Sequence, residues 1–394
     1  MRRKRPKAPR KPVPPLRTTR ALSTRSSAEG PSPDASLADA GEAYSHRGLT
    51  YPLGRDGPGA GQVIAIADGV GWARLPVPGS LKHINIWLLD DPGSESGAGS
   101  DGVAIVDTGL DIAPCREAWE ALLAGPLAGR PVTRVICTHF HPDHIGLAGW
   151  LTERFGAPLW MTREEWLFAR MLTADIRDTP PREAFAYWRA AGWDEERIAA
   201  EAEKGWGRFS SVVSPVPVAF VRMRDGDTIR IGARDWRVLV GGGHSPEHAC
   251  LVDEAGGVMI AGDQVLPRIT SNVSLSLSEP EADPLGDWLA SIAKLKMLSD
   301  SPLVLPSHGE PFTGLHARLD ALDHGHRKQL DALHAHLSEP RRAVDCFAIL
   351  FARKIDDSVF GLATGEAMAH LRRLQVEGRA VRELRDGIHW YRAT

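Results

Sequence analysis

Between Thr138 and His144 the chain reads Thr-His-Phe-His-Pro-Asp-His, which places His139, His141, Asp143 and His144 within six residues. An apolar run, Val135-Ile136-Cys137, leads directly into them and reads as a buried strand that opens into a loop. From such a loop His139 and His141 can face one metal ion while Asp143 and His144 face a neighbouring one. Imidazole nitrogen and carboxylate oxygen together suit Zn²⁺ and related first-row ions. A polar loop that is rich in histidine by chance is a poor explanation for four donors so closely spaced.

Further candidates follow other apolar runs. They are Asp107 in Val-Asp-Thr-Gly, His244 in Gly-His-Ser-Pro-Glu-His, Asp263 in Ala-Gly-Asp and His308 in Ser-His-Gly. Each is weak alone, because a single histidine at a strand end usually serves packing or a surface hydrogen bond. Taken in order they are strong. The series HxHxDH, GHS-P, GD and SHG resembles the metallo-β-lactamase superfamily across roughly residues 60–312.

That resemblance implies that His139, His141 and His244 hold one metal, that Asp143, His144 and His308 hold the second, and that Asp263 bridges them. Asp107 is implied to brace the ligand loop by hydrogen bonds, and His248 reads as a residue that supports the loop without ligating. The implied chemistry is hydrolysis by water activated between two divalent ions, Zn²⁺ foremost, with Fe or Mn as alternatives. Asp143 would relay the proton while it also ligates, which makes it the catalytic carboxylate. Cys137 reads as core rather than nucleophile.

The resemblance also narrows the branch. A bridging aspartate is absent from true β-lactamases of this fold, so Asp263 points away from antibiotic hydrolysis. Only 45 positions separate Asp263 from His308, too few for the domain that RNA-cutting relatives insert there. His141 argues against the flavodiiron oxidoreductases, which carry glutamate at that place. What remains is similar to the glyoxalase-II-like and lactamase-β-like hydrolases, and implies a small acyl thioester or ester as substrate. A metal-dependent endoribonuclease and a mononuclear iron enzyme of the persulfide dioxygenase kind are the alternatives. A pseudoenzyme that binds DNA or a partner is a third, opposed by the intact ligand set. Arg268, Ser271 and Asn272, just beyond the bridging residue, either bind a substrate carboxylate or phosphate or belong to the surface.

Elements must position these residues. Short apolar runs broken by Gly, Pro or Asp alternate with helical patterns, which predicts an α/β chain: two sheets between helical layers, an αββα sandwich. The loop between Asp91 and Asp101 reads as a flexible hairpin connection. Residues 160–211 form an aromatic-rich helical insertion that either lids the site or packs on the sandwich. The catalytic domain is read as 44–325, followed by a helical bridge and a small winged-helix-like domain over 326–394. Five arginines there (Arg372, Arg373, Arg379, Arg382, Arg385) invite a nucleic-acid reading. Interleaved Glu377, Glu383 and Asp386 favour packing or a homodimer instead.

Bulk properties agree with an enzyme. The apolar share of 43% supplies a core, and a net charge of −3 disfavours nucleic-acid binding driven by overall charge. Four scattered cysteines without a C-x-x-C pair suggest reduced thiols and a cytoplasmic location. No apolar run is long enough to predict a membrane span. Residues 1–43, with ten Lys/Arg before the first acid at Glu29, read as a disordered tail, or as a transit segment or polyanion-binding arm.

Overall fold

The computed structural model describes residues 42–92 and 101–394. The basic tail up to residue 41, and most of the loop expected after Asp91, lie outside the described residues.

Burial along the strands shows how they are stacked. A first hairpin, β1 (Tyr44–His46) and β2 (Leu49–Tyr51), precedes a seven-stranded sheet in sequential order. Its strands are β3 (Ile64–Ala67), β4 (Val70–Val77), β5 (Lys82–Asp90), β6 (Val103–Val106), β7 (Val132–Ile136), β8 (Leu159–Met161) and β9 (Val221–Arg222). The second sheet holds β10 (Thr228–Ile231), β11 (Arg234–Gly241), β12 (His248–Asp253), β13 (Val258–Gly262) and β14 (Leu303–Pro306). Strands β6, β12 and β13 are buried on both faces, whereas the edge strand β10 alternates exposed and buried. Strands without an exposed face must be covered on both sides.

Three cores supply that cover. Between the sheets, Trp72, Trp87, Val106 and Ile136 meet Trp236, Val238, Leu251 and Ile260. Helices α1 (Ala113–Ala124), α2 (Pro142–Ile145) and α3 (Ala148–Phe155) lie on the outer side of the first sheet, where Trp119, Leu122 and Leu151 pack on Ile105 and Val135. The insertion follows as α4 (Arg163–Ala174), α5 (Arg182–Ala191) and α6 (Glu195–Ala202). On the far side of the second sheet lie α7 (Pro284–Leu295), α8 (Leu315–His336), the short α9 (Phe347–Leu350) and α10 (Phe360–Val376). The layers are helix, sheet, sheet, helix, as the strand and helix order predicts.

The C-terminal residues end in a hairpin, β15 (Ala380–Arg385) and β16 (Ile388–Ala393). Asp386 and Gly387 both have positive φ, 51° and 80°, the geometry that a tight hairpin turn requires. Residue 325 falls inside α8, and Leu330, Leu371 and Leu374 share one apolar cluster with Leu285 and Trp288. The insertion divides its aromatics. Trp188 and Trp193 stack at 5.5 Å and join that same cluster, while Phe168 stacks at 5.4 Å on Phe140 of the loop after β7. All four cysteines are buried free thiols. Among the described residues no helix is long and apolar enough to cross a membrane.

Candidate metal centre

Parallel pairing explains why residues so distant in sequence meet. Strands β6 and β7 run in parallel, as do β13 and β14, so their C-terminal ends emerge on one edge. Strand β11 is antiparallel to β12, and β12 to β13, so β11 ends on that edge too. Asp107 follows β6, His139 follows β7, His244 follows β11, Asp263 follows β13 and His308 follows β14. Pro142 then opens the single turn of α2, which turns Asp143 and His144 back toward the same point.

Two clusters result. His139 Nε2, His141 Nδ1 and His244 Nε2 lie 2.8, 3.0 and 3.2 Å from one another. Donors bound to one tetrahedral ion at ordinary metal–nitrogen lengths stand about 3.3 Å apart. In the second cluster, His308 Nε2 is 3.2 Å and His144 Nε2 3.7 Å from Asp143 Oδ2. Asp263 reaches both, with Oδ2 3.4 Å from His244 and Oδ1 3.5 Å from His308. His144 Nε2, His308 Nε2 and Asp263 Oδ1 are buried without a hydrogen-bond partner. Buried polar atoms left unpaired are costly, and a pair of cations would satisfy all three. The donor set therefore fits two divalent ions.

The opposite edge of most rings is already fixed. His144 Nδ1 meets Asp107 Oδ2 at 2.9 Å, and His139 Nδ1 meets the Thr138 hydroxyl at 3.0 Å. His244 Nδ1 donates to the Asn272 carbonyl, and His308 Nδ1 to that of His83, each at 2.8 Å. Such bonds leave Nε2 free for the cation in all four and prevent the rings from turning. Asp107 also accepts from the Thr138 amide at 2.8 Å and holds a φ of 64°, a strained backbone for a residue with a side chain. His248 Nε2 accepts the Asp263 amide proton at 3.0 Å, so it supports Asp263 from behind. Gly262, at φ 54°, lies so close to that ring that a Cβ would stand 2.4 Å from it.

Of the three residues proposed for substrate, only Asn272 lines the cleft over the metal centre. Arg268 is paired with Glu310 at 2.9 Å and sits over the ring of Tyr51, and the Ser271 hydroxyl donates to the Asp263 carbonyl. Both are committed to holding the fold.

Asn85 went unnoticed in the sequence, although a lone polar residue in the run Ile84-Asn85-Ile86 was its signal. Fully buried, it accepts from Trp72 Nε1 and Arg74 Nε and donates to the carbonyls of Pro306 and Gly309. It thereby anchors the loop that carries His308. Asn85→Leu is expected to destabilise the metal-depleted protein by about 3 kcal/mol, because several buried groups lose their partner. Urea unfolding of that form measures it, and a change below about 1 kcal/mol would refute the anchoring role.

Charge separates the two clusters. Burial and neighbouring histidines push His139 well below its ordinary pKa and His141 down to about 3. Burial also opposes charge on His144, but Asp107, Asp143 and Asp263 together raise it well above the usual value. His308 is raised against its own burial by Asp263 and Asp143. A histidine with raised pKa takes up its proton at higher pH, and a protonated ring cannot ligate. As pH falls, the Asp143, His144 and His308 cluster is therefore expected to release its ion first. Metal content per chain after equilibration at decreasing pH tests this; simultaneous loss of both ions would contradict it.

Residues 81–308 match the family described as the metallo-beta-lactamase superfamily, and residues 330–394 match the metallo-beta-lactamase-like C-terminal domain. The crystal structure of a beta-lactamase domain protein from Burkholderia ambifaria is 40% identical, with a TM-score of 0.81 over 88% of this chain and 98% of that one. The probable metallo-hydrolase YqjP of Bacillus subtilis is 24% identical over 77% of this chain and 91% of its own length. The acyl-coenzyme A thioesterase MBLAC2 of Gallus gallus is 27% identical over 63% of this chain and 80% of its own.

Proposed function

The chain belongs to the metallo-β-lactamase superfamily, and from that membership and the cleft above its metal centre we propose that it hydrolyses thioesters or esters of small acyl groups. The observation that carries this reading is the wall of the cleft. It encloses about 580 Å³ and opens directly onto His141 and His244. Phe140, Phe168 and Leu362 make an apolar side for an acyl group, and Asn272 and Ser274 make a polar one. The chicken relative, named as an acyl-coenzyme A thioesterase, supports the same substrate class.

Two divalent ions would supply Lewis acidity, activating water and polarising the acyl oxygen; Zn²⁺ suits the donors, and Fe or Mn accepts them too. The protein's own residues do the rest. In the metal-free site His144 and His308 outweigh burial and hold Asp143 down to about 2, and a cation bound by the neutral rings would hold the same carboxylate ionised. It turns Oδ2 toward His308 and leaves its other oxygen to accept a proton from the attacking water. Phe140 and Phe168 hold the acyl chain beside the ligands and keep bulk water from that wall. Asn272 is the substrate contact retained from the sequence reading, through a side chain oriented by Ser274 and Glu366.

An RNA clamp in the C-terminal residues gains no support from their charge. Arg372 and Arg382 pair with Glu281, Arg373 with Asp283, Arg379 with Asp331 and Arg385 with Glu383. Thiol release from a series of acyl-coenzyme A esters, beside cleavage of a labelled single-stranded RNA, tests the reading. Chelator-sensitive thioester turnover and an intact RNA are expected; RNA cleavage without thioester turnover would overturn it.

A further inference from the structure

One buried carboxylate of the insertion ties together the loops of the metal centre. Glu165 stands in the first turn of α4 and is completely buried. Its Oε2 accepts the amide proton of Phe140 at 2.9 Å, and its Oε1 that of Glu247 at 2.7 Å. Phe140 lies between the ligands His139 and His141, while Glu247 lies in the loop of the ligand His244. One carboxylate thus spans the two loops that supply the whole three-histidine cluster.

Its surroundings make the same connection. The Thr162 hydroxyl donates to the Glu247 carbonyl at 2.8 Å, and the Glu164 amide to the Glu247 carboxylate at 2.9 Å. Thr162-x-x-Glu165 before a helix has the spacing of a capping box, in which both side chains serve the helix itself. Here Thr162 makes no capping bond, and both side chains are spent on the ligand loops. Burial pushes the Glu165 carboxyl up to about 7, opposed by the neighbouring Ser245 hydroxyl and by the Glu247 and Phe140 amides. A buried carboxylate bonded to amides rather than to a cation is a costly choice for joining two loops. A helix cap would have been satisfied at the surface.

We propose that Glu165 is a positioning residue that fixes the separation of the His139–His141 loop from the His244 loop and so preorganises the three-histidine cluster for its cation. His144 and His308 of the second cluster have further braces of their own, Asp107 and the His83 carbonyl, so the larger effect falls on the first. The inference rests on the metal centre and not on the thioester reading.

Glu165→Gln tests it. The amide keeps one acceptor oxygen but turns an NH₂ toward the other backbone N–H, so one loop loses its anchor. The affinity of the three-histidine cluster for Co²⁺ is expected to fall about 10- to 100-fold, the usual loss when a residue that orients a ligand is removed. Cobalt titration of the metal-depleted protein, followed by the visible spectrum and by chelator competition, should resolve one strongly weakened ion and one affected far less. Circular dichroism confirms that the variant is folded; should it not fold, Glu165→Asp, which keeps the charge but falls short of one loop, is read the same way. Wild-type affinity for both ions would overturn the proposal. So would parallel weakening of both, the mark of a merely structural role.

Discussion

Asp263→Ala is expected to lower kcat/KM on a thioester substrate on the order of a thousandfold, and to leave the protein with fewer than two ions per chain. Asp263 has an oxygen within 3.4 Å of a donor in one cluster and within 3.5 Å of a donor in the other. It is the carboxylate best placed to screen two adjacent dications from each other. Without it their repulsion opposes double occupancy, and the lost Lewis acidity is worth several kcal/mol, or about three decades in rate. The backbone there is fixed independently by His248 and Ser271, so the alanine protein should keep its fold. Asp263→Asn keeps the shape and removes the charge, and should be nearly as damaging. Either variant turning over at the wild-type rate with two ions bound would remove the bridging role.

Asp107→Ala is expected to lose about 10- to 100-fold in metal affinity, together with roughly 3 kcal/mol of stability. The alanine leaves the buried Thr138 amide without an acceptor and frees the His144 ring to turn. Strain and hydrogen bonding can be separated at this position. Asp107 sits at φ 64°, where glycine is at ease and alanine is not. Asp107→Gly should therefore recover about 1 kcal/mol relative to alanine in urea unfolding. It should recover none of the metal affinity, measured by chelator competition. If glycine restores the affinity as well, backbone strain and not the carboxylate governs the site.

Much of the centre was legible because its donors are side chains placed just beyond apolar runs. His139, His141, Asp143, His144, His244, Asp263 and His308 could be read in order as candidate donors, since each strand end is marked by Gly, Pro or Asp beside one of them. The layered sheets were legible for the same reason: a run such as Val103–Val106 has no polar face to expose. The supports were harder. His244 and His308 are held by the backbone carbonyls of Asn272 and His83, groups that every residue type possesses, so no letter in the chain announces that bracing. Glu165 imitates a helix cap. Trp188 and Phe168 belong to one aromatic-rich segment, yet one packs toward the C-terminal helices and the other faces the cleft.

The chain's own letters determined which atoms can bind metal and that strands deliver them, because donor chemistry and apolar periodicity are properties of residue type and spacing. Tertiary structure alone decided that Asn85 ties down the loop of His308, that Arg268 is spent on Glu310, and that α8 runs unbroken through residue 325. Those outcomes depend on strand register and on the distance between loops remote in sequence. Such distances are set by how whole layers pack, which no short window of residues contains.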